Sequence, residues 1–121
     1  MKSNTKKLII ILYSEEKEKL NYAMSMIATA AALERPTELF FSGKSVLSLI
    51  NNNQNSILDY KNSAELLLTI VDLDTKLTVC SGALSDNNIA ENTLRSDIGI
   101  TITGLTSILS SENQDSHIIF I

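Results

Sequence analysis

Apolar residues in this chain fall into short unbroken runs separated by longer segments with helical spacing. Residues 7–14, KLIIILYS, form the first run. Its consecutive isoleucines predict a strand buried on both faces, as in a parallel sheet. Ser14 can cap the next element, and Glu15 and Glu16 suit the positive end of a helix dipole. A helix is therefore expected over 15–34, with Leu20, Met24, Ile27 and Ala31 on one face and Pro36 ending it. Ala23, Met26, Ala28, Ala30 and Ala32 widen that apolar face. A helix this apolar is expected to be covered on two sides, which points to an oligomer.

The alternation continues to the end of the chain. TELFFS (37–42) predicts a second strand, and GKSVLSLI a short helix or turn. The polar segment NNNQNSILDYKN (51–62) reads as a surface loop. SAELLLTIVDLD (63–74) spaces Leu66, Leu67, Ile70 and Val71 as a helix, with Ser63 as its cap. KLTVC (76–80) is a strand and SDNNIAENTL (85–94) a short helix. GITI (99–102) is a strand, TGLTSILSS (103–111) a helix with Leu105, Ile108 and Leu109 on one side, and SHIIFI (116–121) a last strand. Strands alternating with helices imply an α/β fold, a parallel sheet with helices on both faces. At 121 residues the chain is expected to be one domain, 1–121, with one core.

Open α/β sheets bind ligands outside the carboxyl ends of their strands. The first strand delivers Tyr13 and Ser14 there, the second Ser42, Gly43 and Lys44, the third Cys80, Ser81 and Gly82, and the fourth Thr103 and Gly104. The last strand is expected to deliver nothing. Cys80 is the strong nucleophile of the set. A thiol placed just before a helix start feels the helix dipole, which favours the reactive thiolate; Asp86 opposes it, and Lys44 can offset Asp86. The competing reading is a buried thiol acting as a small hydrophobe. His117, at the start of the last strand, is expected on the far edge of the sheet, away from Cys80.

Other motifs fail on inspection. FFSGKSV carries the GKS of a phosphate loop, but the required first glycine, four residues before the GK pair, is Glu38. Nucleotide binding at Lys44 is therefore set aside. One cysteine, one histidine and scattered acids give no metal-ligand spacing, and no cofactor is expected.

Composition narrows the function further. Formal net charge is −4, which disfavours nucleic acid and anionic membrane surfaces as partners. A single cysteine forms no internal disulfide and fits a reducing cytoplasm. The first apolar run is too short for a signal peptide, and the longest nearly uncharged stretch, LNYAMSMIATAAAL, is 14 residues, too short for a bilayer. A cytoplasmic protein is expected.

Taken together, KLIIILYSEEKEKLNYAMSMIATAAALERPTELFFSGKSV, LTVCSGALSDNNIAENTL, GITITGLTSILSS and HIIFI resemble the DsrE/DsrF-like family of sulfur-relay proteins. The resemblance implies a three-layer α/β/α sandwich with a mostly parallel five-stranded sheet, assembled as a homotrimer or homohexamer. It implies that Cys80 carries sulfur as a persulfide, taken from a donor protein and passed to an acceptor thiol. Ser14, Ser42, Gly43, Lys44, Ser81, Gly82, Thr103 and Gly104 would then surround it. The alternative is a non-catalytic oligomeric module of the same fold, binding a small ligand or protein partner, with Cys80 structural.

Overall fold

The computed structural model describes residues 6–51 and 60–121. Five strands, β1 (Leu8–Leu12), β2 (Thr37–Phe41), β3 (Lys76–Cys80), β4 (Thr101–Thr103) and β5 (His117–Phe120), form one sheet in the order β4-β3-β2-β1-β5. All four pairings are parallel. With helices α1 (Lys17–Ala32), α2 (Ser63–Asp72), α3 (Ser81–Asp86) and α4 (Leu105–Ile108), the chain forms a three-layer α/β sandwich. A 3-10 helix spans Gly43–Leu49. Most of the polar loop expected over 51–62 lies outside the described residues.

The apolar runs become β1 and β2 because a central parallel strand is buried on both sides. Every residue of both strands is buried, including Glu38. Leu8, Ile10, Leu12, Leu39 and Phe41 face one side, where they meet Leu20, Met24 and Ile27 of α1 and Leu67 and Ile70 of α2. The opposite side is thinner. Ile9, Ile11 and Phe40 cluster there with Ile108 of α4.

Several expected boundaries shift. α1 begins at Lys17, because the Ser14 hydroxyl accepts a hydrogen bond from the Glu16 amide at 3.1 Å and keeps residues 14–16 in a turn. Its buried residues are Leu20, Ala23, Met24, Ile27 and Ala30, so the inward face ends at Ala30 in place of Ala31. Part of that width is met within the chain: α1 packs on the sheet along one flank and on α2 along another, while Met26 and Ala28 stay half-buried and Ala32 exposed. Asn62 caps α2, and the Ser63 hydroxyl instead accepts from Asn21 of α1 at 2.8 Å. Leu105 and Leu109 are exposed; only Ile108 of that trio turns inward.

The thin face also holds a buried charge. Glu38, 3% exposed, accepts hydrogen bonds from Lys7 at 2.9 Å and from the Thr78 hydroxyl at 2.8 Å. A buried carboxylate is tolerated only when paired and hydrogen-bonded in this way.

Two loops at the carboxyl end of the sheet are locked together by Gly43. Its φ is +54°, and a Cβ there would lie 2.8 Å from the Tyr13 ring and 2.9 Å from the Tyr13 carbonyl oxygen. Ser45 supports the same junction, its hydroxyl donating to the Leu12 carbonyl at 2.6 Å and accepting from the Ser42 amide at 3.1 Å. Gly43→Ala is expected to cost about 1–3 kcal/mol, since it combines left-handed strain with a backbone clash. Urea denaturation measures this; an unchanged midpoint contradicts the packing of Tyr13 on this glycine.

Candidate functional site

The carboxyl ends of β1, β2 and β3 and the first turn of α3 enclose a cavity of about 710 Å³. Its wall comprises the chain from Tyr13 to Glu16, from Ser42 to Lys44, and Cys80, Gly82, Ala83, Asp86 and Asn87. The volume lies within the range of small-molecule sites.

Cys80 is the last residue of β3 and the N-cap of α3, with φ −75° and ψ 121°. Its side chain caps no backbone group. It is a free thiol, half-buried, touching both apolar clusters while it lines the cavity. α3 starts at Ser81, directly after the cysteine; the helix expected over 85–94 is replaced by this earlier one and a short 3-10 turn at Glu91–Thr93. The Ser81-Gly82 pair, expected only as part of the strand-end loop, is the first turn of this helix. Gly82 leaves space beside the thiol, since a Cβ built there would sit 3.7 Å from Sγ.

Ser14, Ser42, Gly43, Lys44, Cys80 and Gly82 are thus brought to one cavity. Ser81, Thr103 and Gly104 lie outside it. Ser81 is exposed on the helix, Thr103 pairs with Cys80 on the neighbouring strand, and Gly104 caps α4. The last strand does reach the rim, contrary to expectation. The Ile121 carbonyl accepts from the Tyr13 and Ser14 amides at 2.8 and 3.2 Å, and Phe120 packs on Tyr13 with ring centres 5.8 Å apart. This follows from β5 running beside β1.

Ala83 and Asn87 were not anticipated. They sit one helical turn apart, and the Asn87 amide donates to the Ala83 carbonyl at 2.7 Å and to the Gly43 carbonyl at 3.4 Å. Asn87 therefore ties α3 to the loop that carries Lys44. That spacing becomes readable only once α3 is known to start at Ser81.

Charge in the cavity wall is acidic. Glu15, Glu16 and Asp86 stand against Lys44. Glu16 is partly offset by Lys19 at 3.5 Å, an exposed pair of little energetic weight. His117 begins β5, at the amino end of the opposite sheet edge, so no Cys-His pair forms. Elsewhere, Arg95 donates two hydrogen bonds to Asp97, at 3.0 and 2.6 Å, which hold that carboxyl below its ordinary range and raise the arginine. Among the described residues, no group of three or more His, Cys, Asp or Glu side chains is placed to hold a metal ion. No helix among them is long and apolar enough to cross a membrane.

The model of the DsrE/DsrF-like family matches residues 6–120. This chain belongs to the DsrE/DsrF-like family. Solved structures share its fold throughout. MTH1491 of Methanobacterium thermoautotrophicum, a protein of unknown function, superposes with a TM-score of 0.74 at 13% identity, covering 96% of this chain and 99% of that one. BT1422 of Bacteroides thetaiotaomicron, also of unknown function, gives 0.71 at 16% identity, covering 98% and 97%. The ychN protein of E. coli gives 0.69 at 14% identity, covering 95% and 99%. At these identities the likeness concerns the fold. No curated protein matches the sequence.

Two outcomes check the site. Gly82→Ala is expected to fold, with helix stability raised by up to about 1 kcal/mol. The added methyl beside Sγ should slow alkylation of Cys80 by a bulky maleimide more than by iodoacetamide. Equal slowing of both reagents would place the approach to Sγ elsewhere. The acidic wall should also make Cys80 react faster with neutral iodoacetamide than with anionic iodoacetate, beyond the ratio seen for a free thiol. Asp86→Asn should narrow that gap, and added salt should narrow it further.

Proposed function

We propose that this DsrE-like protein is a sulfur carrier of the cytoplasm in which Cys80 holds sulfur as a persulfide. The observation that supports this reading is a single half-exposed thiol at the carboxyl edge of β3, lining a cavity large enough to admit the end of a partner's cysteine-bearing segment. In the transfer, the Cys80 thiolate attacks the outer sulfur of a donor persulfide. The donor's S–S bond breaks, and the donor leaves as a thiolate that takes up a proton. Cys80 then bears the S–S bond. An acceptor thiolate attacks the outer sulfur in turn, and Cys80 leaves as its thiolate. The donor is reduced and the acceptor oxidised by the same two electrons, so no further reagent is needed.

Exposed apolar side chains favour assembly with other copies of the chain, as a homotrimer or homohexamer. Tyr13, Phe120, Ile118, Leu105 and Leu109 are each more than a third exposed. Ile118 and Phe120 lie opposite Ile9 and Ile11 on the thinly covered face, and Phe120 packs on Tyr13 at the cavity rim.

The second reading, a non-catalytic module with Cys80 as packing, draws on the thiol's contacts with both apolar clusters. Intact mass after exposure to a persulfide donor separates the two. The carrier reading expects a gain of one sulfur atom that is absent from Cys80→Ser. No gain, or an equal gain in the variant, leaves the module. Light scattering tests assembly independently, and a monomeric mass refutes it.

A further inference from the structure

A second cavity lies far from Cys80, over the edge strand β5. It measures about 680 Å³. Its floor and walls are apolar: Leu8, Met26, Ala30 and Ile119 line it, with Tyr22 at the side. It exists because α1 and α2 cover β1, β2 and β3 on this face, while β5 turns His117 and Ile119 into the open space beside α1.

Polar groups are few and most are already engaged. The Ser25 hydroxyl donates to the Asn21 carbonyl at 3.0 Å, and the Thr29 hydroxyl to the Ser25 carbonyl at 2.9 Å. Arg35 differs. Its Nε donates to the Lys6 carbonyl at 2.8 Å, and one terminal nitrogen donates to His117 Nδ1 at 2.8 Å. A guanidinium has five N–H donors, so three remain. No carboxylate among the described residues pairs with it. A guanidinium cannot accept, so His117 Nδ1 is the acceptor and the ring proton sits on Nε2, a further donor. Both residues line the cavity at the amino end of β5.

We infer that this cavity binds a small monocarboxylate with an apolar body, of the medium-chain alkanoate class. The carboxylate pairs with Arg35 in the two-pronged geometry that a guanidinium favours, and the tail lies along Met26, Ala30 and Ile119. Two features select this class. One guanidinium with no carboxylate partner among the described residues matches a single negative charge, where a phosphate dianion would call for more cations. The length of apolar wall beyond Arg35 would be left unfilled by acetate. The site is separate from Cys80 and does not depend on the sulfur-carrier reading.

Backbone amide NMR of the full chain, titrated with octanoate, tests this. Octanoate should shift amides of Met26, Ala30, His117 and Ile119 and bind at least about tenfold tighter than octanol or acetate, since both the ion pair and the apolar body contribute. Arg35→Gln should lose about tenfold in octanoate affinity and leave octanol unchanged. Met26→Trp, which fills the groove without touching Arg35, should abolish binding while its spectrum remains folded. Cys80→Ser should bind as the natural chain does. Equal affinity for octanoate and octanol overturns the proposal, as does full octanoate binding by Arg35→Gln. Shifts of the same amides on raising protein concentration alone, with octanoate unable to compete, would assign the groove to a second copy and also overturn it.

Discussion

A parallel sheet must be covered on both faces, and this chain covers its two faces unequally. On one side α1 and α2 supply long apolar stripes, and the sheet answers with Leu8, Ile10, Leu12, Leu39 and Phe41. On the other, α4 contributes one inward residue, Ile108. Beside it a polar group joins the strands: Lys7, Glu38 and Thr78 link β1, β2 and β3, and Lys7 also reaches Asn113 at 3.4 Å. Asn113 in turn donates to the Ile108 carbonyl at 2.9 Å, fastening the 111–116 turn beneath α4. Removing one member of such a group strands a buried charge, so the network holds the thin layer in place more than it adds to overall stability.

The candidate site lies at the carboxyl end of this sheet. Chain segments leaving β1, β2 and β3 converge because those strands are adjacent, and Gly43 lets two of them touch. Cys80 stands where the sheet ends and α3 begins, packed from below by both clusters and open above. The thiol is half-buried: it touches both apolar clusters and also lines the cavity. Glu15, Glu16 and Asp86 give that cavity wall an acidic balance against Lys44.

Much of this was legible in the residues. The LIIIL run could be little other than a central strand, and the order of elements followed from the alternation of short apolar runs with helical spacing. Cys80, Ser14, Ser42, Gly43, Lys44 and Gly82 were placed together by knowing only where parallel strands end. What escaped depended on distant partners or on turn chemistry. Glu38 looks like the polar edge of a strand until Lys7, thirty-one positions earlier, is seen beside it. Ser14 resembles a helix cap, yet its hydroxyl binds the Glu16 amide and delays the helix. Ser81-Gly82 resembles a stop, and the tertiary packing of Ala83 and Leu84 makes it a helix start instead. The reach of Ile121 to the rim required the strand order, which local patterns do not encode.

The strand order has a consequence in time. β1 precedes the other strands of this fold in sequence, and it pairs with β2 on one side and with β5, made after all of them, on the other. Until His117–Phe120 has been made, β1 is an unprotected edge of almost pure isoleucine and leucine. The nascent chain must therefore carry this strand half-paired while β2, β3 and β4 are made. Closure of the sheet then demands pairing between its first and last strands, which are far apart in sequence, the kind of long-range pairing that slows folding. α1, which follows β1 at once and packs across it, is in a position to shield one face early, but the hydrogen-bonding edge waits for β5.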